Sequence, residues 1–457
     1  MNQRDIPVIQ NREYEMLVED IGVDGEGIGR IDGFTMFVEG ALPGEKVRIR
    51  ALKVGKNFGY GELLEVIAPS PDRVNPPCPY SKRCGGCSLQ HLSYSAQLKF
   101  KTRRVRDTLQ RIGNITDVKV HETIGMDNPW RYRNKAQFPV GMAGGSLAIG
   151  FFAPRSHDIV DMDKCIINHR INDSVIRIMR DFIQSYSIPV YDESAHRGVI
   201  RHVVTKVGFK TGHVMVVIVT NGRNLPHKDK LVELLKDNIP GITSIVQNIN
   251  PKKTNVILGQ ENITLWGQDY ITDILGGLTF KISPLSFFQV NPVQTEILYG
   301  KTLEYAGLNG TEIVMDLYCG IGTISLLLAR NARKVYGIEE VPQAVQDAWE
   351  NARINGISNV EFVEGKAEDV IPRMVDSGIH ADVVVLDPPR KGCDQAVLEA
   401  LARMAPPRIV YVSCNPATLA RDLKFLAEQG YKVLEVQAVD MFPHTTHVEC
   451  VAWMSHI

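Results

Sequence analysis

Cys414 is the residue whose chemistry most needs an explanation. It ends an apolar segment, "RIVYVSC" (408–414), and stands directly before Asn415 and Pro416. A free cysteine most often fills space in a core and is inert. At the end of a strand it can instead act as a nucleophile, provided that the site favours the thiolate, because a free thiol with a pKa of about 8.5 is ionised only to a few per cent at neutral pH.

A glycine turn predicts a nucleotide-binding edge. The segment "MDLYCGIGTISLLLA" (315–329) has the pattern of a strand, a turn and the start of a helix, where α/β proteins bind nucleotides. Glu339 ends the next strand and could accept hydrogen bonds from ribose hydroxyls. Ser325 stands where a dinucleotide fingerprint has its third glycine. This favours a nucleoside such as S-adenosylmethionine over NAD or FAD, although an unrelated α/β turn has the same pattern.

Asp387 is a further candidate at the same edge. It lies in "LDPPRKG" (386–392), at the end of another predicted strand. Two prolines directly after it make the loop stiff. A rigid aspartate at the ligand-binding edge of a sheet predicts a functional role, whereas the alternative is an ordinary turn before a helix.

Four of the eight cysteines are organised like metal ligands. Cys78, Cys84 and Cys87 follow one another closely, and Cys165 supplies a possible fourth thiolate. Four thiolates suit a structural zinc ion as well as an iron–sulfur cluster. Disulfides are not expected, because nothing in the composition indicates an oxidising compartment.

The patterning divides the 457 residues into three predicted parts. Residues 10–68 alternate in polarity between glycine turns and predict an OB-like β-barrel. Residues 75–275 predict an α+β central domain, with a basic helix at about 95–115 that could pack on the catalytic domain. Residues 280–457 alternate strands with helices and end in a hairpin, which predicts a Rossmann-like domain with a seven-stranded mixed sheet.

Composition sets limits on the class of protein. The net charge is −1 and 44% of the residues are hydrophobic, so nucleic-acid binding would need a local basic surface. The polar start "MNQRDIPVIQNREYE" does not resemble a signal peptide, and no apolar run reaches the roughly 18 residues that span a bilayer. We therefore expect a cytoplasmic protein with no membrane association.

Several motifs together resemble the RNA uracil-5-methyltransferases. They are "SPLSFFQVNPVQTE", "LYCGIGTISLLLA", "YGIEE", "LDPPRKG", "VSCNPATLARDL" and "PHTTHVECVAWM". With a TRAM-like barrel and "CPYSKRCGGCSLQH" the resemblance covers the whole chain, and it is closest to the members that act on 23S ribosomal RNA.

The resemblance implies a role for each candidate residue. It makes Cys414 the nucleophile and Glu449 the general base. It places a [4Fe–4S] cluster on Cys78, Cys84, Cys87 and Cys165. It places Gln289, Tyr318, Glu339 and Asp387 around S-adenosylmethionine, and Phe287, Gln289 and Asp387 beside the flipped uracil. The acidic contact to the adenine stays open between Glu368 and Asp369.

The implied chemistry explains why these residue types are needed. Carbon 5 of uracil is a poor nucleophile, but a thiolate can add to carbon 6 and place negative charge on carbon 5. A base must then remove the proton from carbon 5. Glu449 lies in an otherwise apolar strand, so we expect its pKa to be raised.

Three basic segments are candidates for RNA contacts. Residues 99–111 carry six cations, and "WRYRNK" (130–135) interleaves aromatic and basic side chains, which suits base stacking. A charge run is more commonly an ordinary solvated helix face. The cations of the barrel are Arg48, Arg50, Lys53 and Lys56.

The leading hypothesis is methylation of 23S ribosomal RNA, as free or partly assembled RNA, without an obligate protein partner. The same reaction on transfer RNA is the nearest alternative. A nitrogen methyltransferase is disfavoured because Arg390, rather than an aromatic residue, follows Pro389. A non-catalytic RNA-binding protein is disfavoured because every expected catalytic position is filled.

Overall fold

The computed structural model describes residues 6–457 and opens with a small closed β-barrel. Residues 1–5, part of the polar start that argued against a signal peptide, lie outside this range. The barrel strands are β1 (Glu13–Ile21), β2 (Gly27–Ile31), β3 (Phe34–Val38), β4 (Lys46–Val54) and β5 (Phe58–Ala68). They close in the order β1-β2-β3-β5-β4, which confirms the predicted β-barrel. Gly29 permits the close approach of β1 and β2, because a Cβ atom there would lie 2.3 Å from the carbonyl oxygen of Leu17.

A mixed sheet and its helices follow the barrel. The elements are α1 (Tyr94–Arg111), β6 (Lys119–Val120), β7 (Lys135–Ala143), β8 (Ser146–Phe152), β9 (Ile159–Asp161), α2 (Ile171–Ser185), β10 (Ile200–Val207), β11 (Val214–Thr220), α3 (Lys228–Asn238), β12 (Ile242–Ile249) and β13 (Glu261–Gly267). Seven of these strands form a sheet in the order β13-β12-β11-β10-β7-β8-β9. Every residue of β10 and β11 is buried, because α2 and α3 cover one face and the C-terminal part packs on the other.

A hairpin leads into the C-terminal sheet. The remaining elements are β14 (Ile271–Leu275), β15 (Leu278–Ile282), α4 (Pro292–Ala306), β16 (Ile313–Leu317), α5 (Thr323–Ala329), β17 (Lys334–Glu339), α6 (Pro342–Ile354), β18 (Val360–Glu364), α7 (Ala367–Asp376), β19 (Val383–Leu386), α8 (Gln395–Met404), β20 (Arg408–Ser413), α9 (Pro416–Glu428), β21 (Tyr431–Val439) and β22 (Glu449–His456). Five parallel strands lie in the order β18-β17-β16-β19-β20. Strand β22 is antiparallel and lies between β20 and β21.

The prediction of a seven-stranded sheet is wrong by one strand. The sheet has eight strands, because β6 pairs in parallel with β21 at its edge. This strand has only two residues and comes from the segment after α1. Two residues show no alternation of polarity, so the pairing depends on how α1 docks rather than on local sequence.

Helix α1 connects the barrel to the C-terminal sheet through its cations. Lys101 is fully buried and donates to Asp440 at 2.5 Å and to the carbonyl oxygen of Phe442 at 3.1 Å. Arg103 pairs with Asp20 of the barrel. Arg104 donates to the carbonyl oxygen of Thr446 at 2.8 Å. The expectation of an RNA contact is wrong for Lys101, because its side chain is fully buried and its charge is paired within the protein.

Within residues 6–457 the structure contains no helix that combines the length and the apolar character needed to cross a bilayer.

Replacing Lys101 tests the importance of the buried ion pair. We expect Lys101→Met to lower the free energy of unfolding by about 3–5 kcal/mol, because Asp440 would remain buried without its cation. Urea denaturation followed by circular dichroism measures the change. Lys99→Met, on an exposed position of the same helix, is the control and should change stability by less than about 0.5 kcal/mol. Equal effects of the two substitutions would contradict the ion pair's structural role.

Candidate active site

A cavity of about 910 Å³ lies at the carboxyl ends of the parallel strands of the C-terminal sheet. This is the edge at which open α/β sheets bind ligands. The cavity walls include all seven residues assigned from the sequence to catalysis, cofactor and substrate, namely Phe287, Gln289, Tyr318, Glu339, Asp387, Cys414 and Glu449. The fold therefore brings together side chains from separate segments of the chain.

The glycine turn after β16 is held in an uncommon backbone conformation. Tyr318 has a φ of 69°, in the left-handed region that few residues other than glycine adopt. Beneath the turn, the hydroxyl of Ser325 donates to a buried oxygen of Asp316 at 2.5 Å. This contact explains why a serine replaces the third glycine of a dinucleotide fingerprint: the side chain anchors the helix to the strand.

Glu339 is fixed by the backbone of the same turn. Its carboxylate accepts the N–H of Gly320 at 3.0 Å and the N–H of Val341 at 2.9 Å. Each oxygen has a further lone pair, so the carboxylate can still accept hydrogen bonds from hydroxyl groups. Its place at the end of β17 suits a contact with the ribose of a nucleoside.

The structure distinguishes the two acidic residues that follow β18. Glu368 lines the cavity, whereas Asp369 is not among its lining residues in the part of the chain that the structure describes. Glu368 is therefore the better candidate for the contact to the adenine.

Cys414 and Glu449 are placed side by side by the pairing of two strands. Strands β20 and β22 pair antiparallel up to Ser413 and Cys450. Extending this register by one step would place Cys414 opposite Glu449, and both side chains line the cavity. Side chains directly opposite each other have Cβ atoms about 4.5–5.5 Å apart. A thiol and a carboxyl group therefore face the same end of the cavity.

Burial determines the charge state of the site. Burial raises the pKa of Glu449, which is 3% exposed, to about 8, and Asp387 adds to the rise. Burial raises the pKa of Cys414 to about 11, with Glu449 and Asp387 adding to it. The pKa of Asp387 is also raised by burial, to about 7. At neutral pH the empty cavity therefore keeps the thiol and the Glu449 carboxyl protonated, and a cationic ligand would favour their ionised forms.

The sequence pattern around Arg390 indicated only that a nitrogen methyltransferase is disfavoured. In the structure Arg390 lines the cavity, and its charge opposes the rise in pKa of both Cys414 and Glu449. Its carbonyl oxygen accepts the side-chain N–H of Asn415 at 3.1 Å, and its guanidinium lies 3.0 Å from His447. A cation directly after "DPP" at this edge was the signal that could have identified it.

The loop before α4 presents an aromatic side chain to the cavity. Phe287 is 67% exposed, while Gln289 is buried and its carbonyl oxygen accepts the side-chain N–H of Asn134 at 2.9 Å. The buried amine of Lys206 donates to the carbonyl oxygens of Ser283 and Ser286 at 2.7 and 2.8 Å. The loop is therefore fixed from the central sheet.

The segment "WRYRNK" is mostly internal, so its predicted role in base stacking is wrong for Tyr132, which is buried. Trp130 stacks on His444 with ring centroids 3.8 Å apart, and the hydroxyl of Tyr132 donates to the carbonyl oxygen of Pro443 at 3.1 Å. Arg133 remains available to a ligand, because it lines the cavity.

Two of the four barrel cations are already paired. Arg48 contacts Glu65 at 2.8 Å, and Arg50 contacts Glu13 at 3.5 Å. Lys53 and Lys56 are exposed and remain candidates for phosphate contacts.

The four organised cysteines line a second cavity, of about 370 Å³. Within the described residues no set of three or more histidine, cysteine, aspartate or glutamate side chains is arranged to hold a metal ion. The four cysteines line a shared space, and Arg133, Lys135 and Lys164 line the same space. Gly86 and Arg133 belong to the walls of both cavities.

Comparison with known proteins identifies a family, a domain and several relatives that this chain resembles. Residues 93–457 match the tRNA (Uracil-5-)-methyltransferase family, and residues 7–64 match the TRAM domain. An uncharacterized RNA methyltransferase of Clostridium tetani is 52% identical over 454 residues, covering 99% of this chain and 98% of the relative. One from Halalkalibacterium halodurans is 53% identical over 452 residues, covering 99% of both chains.

A solved structure is similar over nearly the full length. The tRNA (uracil-54, C5)-methyltransferase of Pyrococcus abyssi, in complex with S-adenosyl-L-homocysteine, superposes with a TM-score of 0.78 at 30% identity. The alignment covers 96% of this chain and 100% of that chain.

The raised pKa of Glu449 predicts a pH-dependent gain in stability on its removal. In the wild type, ionising Glu449 costs stability as the pH rises from its ordinary pKa of 4.5 to about 8. Glu449→Gln should leave stability nearly unchanged near pH 4.5 and raise it by about 4 kcal/mol near pH 8. Urea unfolding at several pH values measures this. Glu428→Gln, at an exposed position on α9, should show no such trend. A pH-independent effect of Glu449→Gln would argue against a buried carboxyl group with a raised pKa.

Proposed function

Because the chain belongs to the tRNA (uracil-5-)-methyltransferase family, we propose that it methylates carbon 5 of a uridine in 23S ribosomal RNA through a covalent bond from Cys414. It is an RNA uracil-5-methyltransferase that uses S-adenosylmethionine. The observation that carries the proposed mechanism is the register of β20 and β22, which sets a thiol opposite a carboxyl group in one cavity.

Cys414 and Glu449 act in sequence in this mechanism. The Cys414 thiolate forms a bond to carbon 6 of uracil, and the electron pair of the ring double bond moves to carbon 5 and its neighbouring carbonyl. When bound, S-adenosylmethionine supplies a methyl group on a sulfonium cation, and carbon 5 accepts that methyl group. Glu449 then takes the proton from carbon 5. The double bond re-forms as the bond between sulfur and carbon 6 breaks, which releases Cys414.

The charges in the site couple cofactor binding to the ionisation of Cys414 and Glu449. With the cavity empty, Cys414 and Glu449 are protonated at neutral pH because burial raises the pKa of each. A bound sulfonium adds positive charge and lowers both values. Arg390 acts in the same direction. A base with a pKa near the working pH is suited to accept a proton and to release it afterwards.

Phe287, Gln289 and Asp387 are proposed to hold the target base. A uracil must leave its stack to reach a recessed site, at a cost of a few kcal/mol. The exposed ring of Phe287 offers a stacking surface that offsets part of this cost. Gln289 and Asp387 can form hydrogen bonds with the polar edge of the base. Glu339, Tyr318 and Glu368 surround the methyl donor in this assignment.

The choice of RNA depends on evidence outside the catalytic cavity. The barrel and the four cysteines resemble the members that act on 23S ribosomal RNA, which supports that substrate. Transfer RNA is the second candidate, because the similar Pyrococcus abyssi enzyme is named for a tRNA uridine. Arg133, Arg390, Lys366 and Lys391 line the cavity and can contact phosphates of either RNA.

Cys78, Cys84, Cys87 and Cys165 are proposed to hold a [4Fe–4S] cluster. Four thiols line one space, and cations line it as well, which suits an anionic cluster. Two buried side-chain amides facing this space lack partners for at least one polar atom within residues 6–457. Uracil methylation requires no electron transfer, so the proposed role is to stabilise the loop that also walls the catalytic cavity.

Replacing Cys414 or Glu449 should block different steps of the proposed reaction. Cys414→Ala should lower turnover at least about a thousandfold and form no adduct, because it removes the nucleophile. Glu449→Gln should accumulate an adduct that survives denaturing electrophoresis, because the proton on carbon 5 stays in place. Cys450→Ala, at the buried neighbour of Glu449, is the control and should still form adduct. The readout is the mobility shift of labelled RNA; turnover by Cys414→Ala at the wild-type rate would exclude the covalent mechanism.

The RNA substrate can be identified directly. Methyl-labelled S-adenosylmethionine is supplied with unmethylated 23S ribosomal RNA and with transfer RNA, and the nucleosides are separated by mass spectrometry. We expect label in 5-methyluridine from ribosomal RNA. Label in 5-methyluridine from transfer RNA alone would replace the proposed substrate with the second candidate. Label in another nucleoside would refute the proposed reaction.

A further inference from the structure

The cavity of the four cysteines contains a backbone N–H group directed at sulfur. The backbone N–H of Gly86 donates to the sulfur of Cys84 at 3.4 Å.

Two amide side chains lie in the same wall with unused hydrogen-bonding capacity. Asn168 is 1% exposed, and within residues 6–457 neither its side-chain oxygen nor its side-chain nitrogen has a partner. Gln90 is also buried, and its side-chain oxygen has no partner in the described chain. Both residues line the cysteine cavity. Buried amides are nearly always satisfied in native proteins, so an unsatisfied pair facing one cavity indicates a polar occupant.

The backbone around Asn168 leaves little freedom to place its amide elsewhere. Its carbonyl oxygen accepts a hydrogen bond from the guanidinium of Arg131 at 3.3 Å, and the N–H of His169 donates to the carbonyl oxygen of Arg133 at 3.0 Å. The side chain is therefore held at the cavity wall by the strand-like pairing of its own segment with residues 131–133.

We propose that the side-chain amides of Asn168 and Gln90 donate N–H···S hydrogen bonds to the sulfur atoms of an iron–sulfur cluster held by the four cysteines. This inference rests on the cluster assigned under the proposed function. Both residues are positioning residues: they bind no iron, and they act on the electron density of the sulfurs. Hydrogen bonds to sulfur are among the factors that set the reduction potential of such clusters.

The direction of the effect follows from charge. Reduction adds an electron to the cluster, and N–H donors stabilise the more negative state. Removing a donor therefore makes the reduction potential more negative. It also leaves the sulfurs more electron-rich, so we expect the cluster to be lost several-fold faster in air.

The test uses the full-length chain purified without oxygen. Wild type, Asn168→Leu and Gln90→Leu are compared by iron and sulfide content and by reductive titration followed by electron paramagnetic resonance. Asn331→Leu, at an exposed position between α5 and β17, is the control. We expect full iron content in all four proteins and a more negative potential in the two cavity variants only.

The outcomes distinguish a failure of the cluster assignment from a failure of the proposed hydrogen bonds to the cluster. Wild-type protein that is colourless and contains stoichiometric zinc would overturn the cluster itself. Loaded variants with the wild-type potential would overturn the hydrogen-bonding role and leave the cluster intact. If Asn168→Leu does not fold, Asn168→Ala replaces it: the smaller variant also removes the amide donor, so its potential should be more negative than that of the wild type. A loaded Asn168→Ala protein with the wild-type potential would refute the assignment of Asn168.

Discussion

The buried ion pair between Lys101 and Asp440 is the contact on which the catalytic end of the molecule depends. Asp440 also accepts the hydroxyl of Tyr94 at 2.9 Å, and Lys101 also donates to the carbonyl oxygen of Phe442. Two charges removed from water need good geometry and further hydrogen bonds to be tolerated, and both conditions are met here. The pair fixes the start of the segment that runs from β21 to Glu449. A helix outside the Rossmann-like sheet thus determines where the proposed base stands.

Acidic groups outnumber basic groups among the residues that line the cavity. Glu449 and Asp387 have pKa values raised by burial, and Cys414 is protonated beside them. Such an arrangement is costly without a ligand and favourable with a cationic one. In the proposed mechanism, the site would therefore distinguish a sulfonium from its neutral product by charge. The loss of that charge on methyl transfer would also favour protonation of Glu449 when it accepts the proton from carbon 5.

The sequence predicted most of the C-terminal fold because its strands and helices alternate in long apolar patterns. The same regularity located Cys414, Glu339 and Asp387, which follow or end strands at one edge. Strand β6 was missed because two residues carry no periodic signal, and its pairing depends on a distant helix. Lys101 of α1 was misjudged because a sequence gives charge but does not show which charges have partners. The role of Arg390 depends on its distance to other groups, which composition and spacing do not determine.

Strand β22 has a consequence for the integrity of the sheet as well as for the active site. It occupies the position between β20 and β21, so its two neighbours cannot pair with each other in the native order. Without it, both neighbours would expose unpaired backbone edges, which are sites for pairing with other chains. The same strand carries Glu449 to the cavity that Cys414 lines. A substitution that displaced β22 would therefore expose sheet edges and disrupt the active site together.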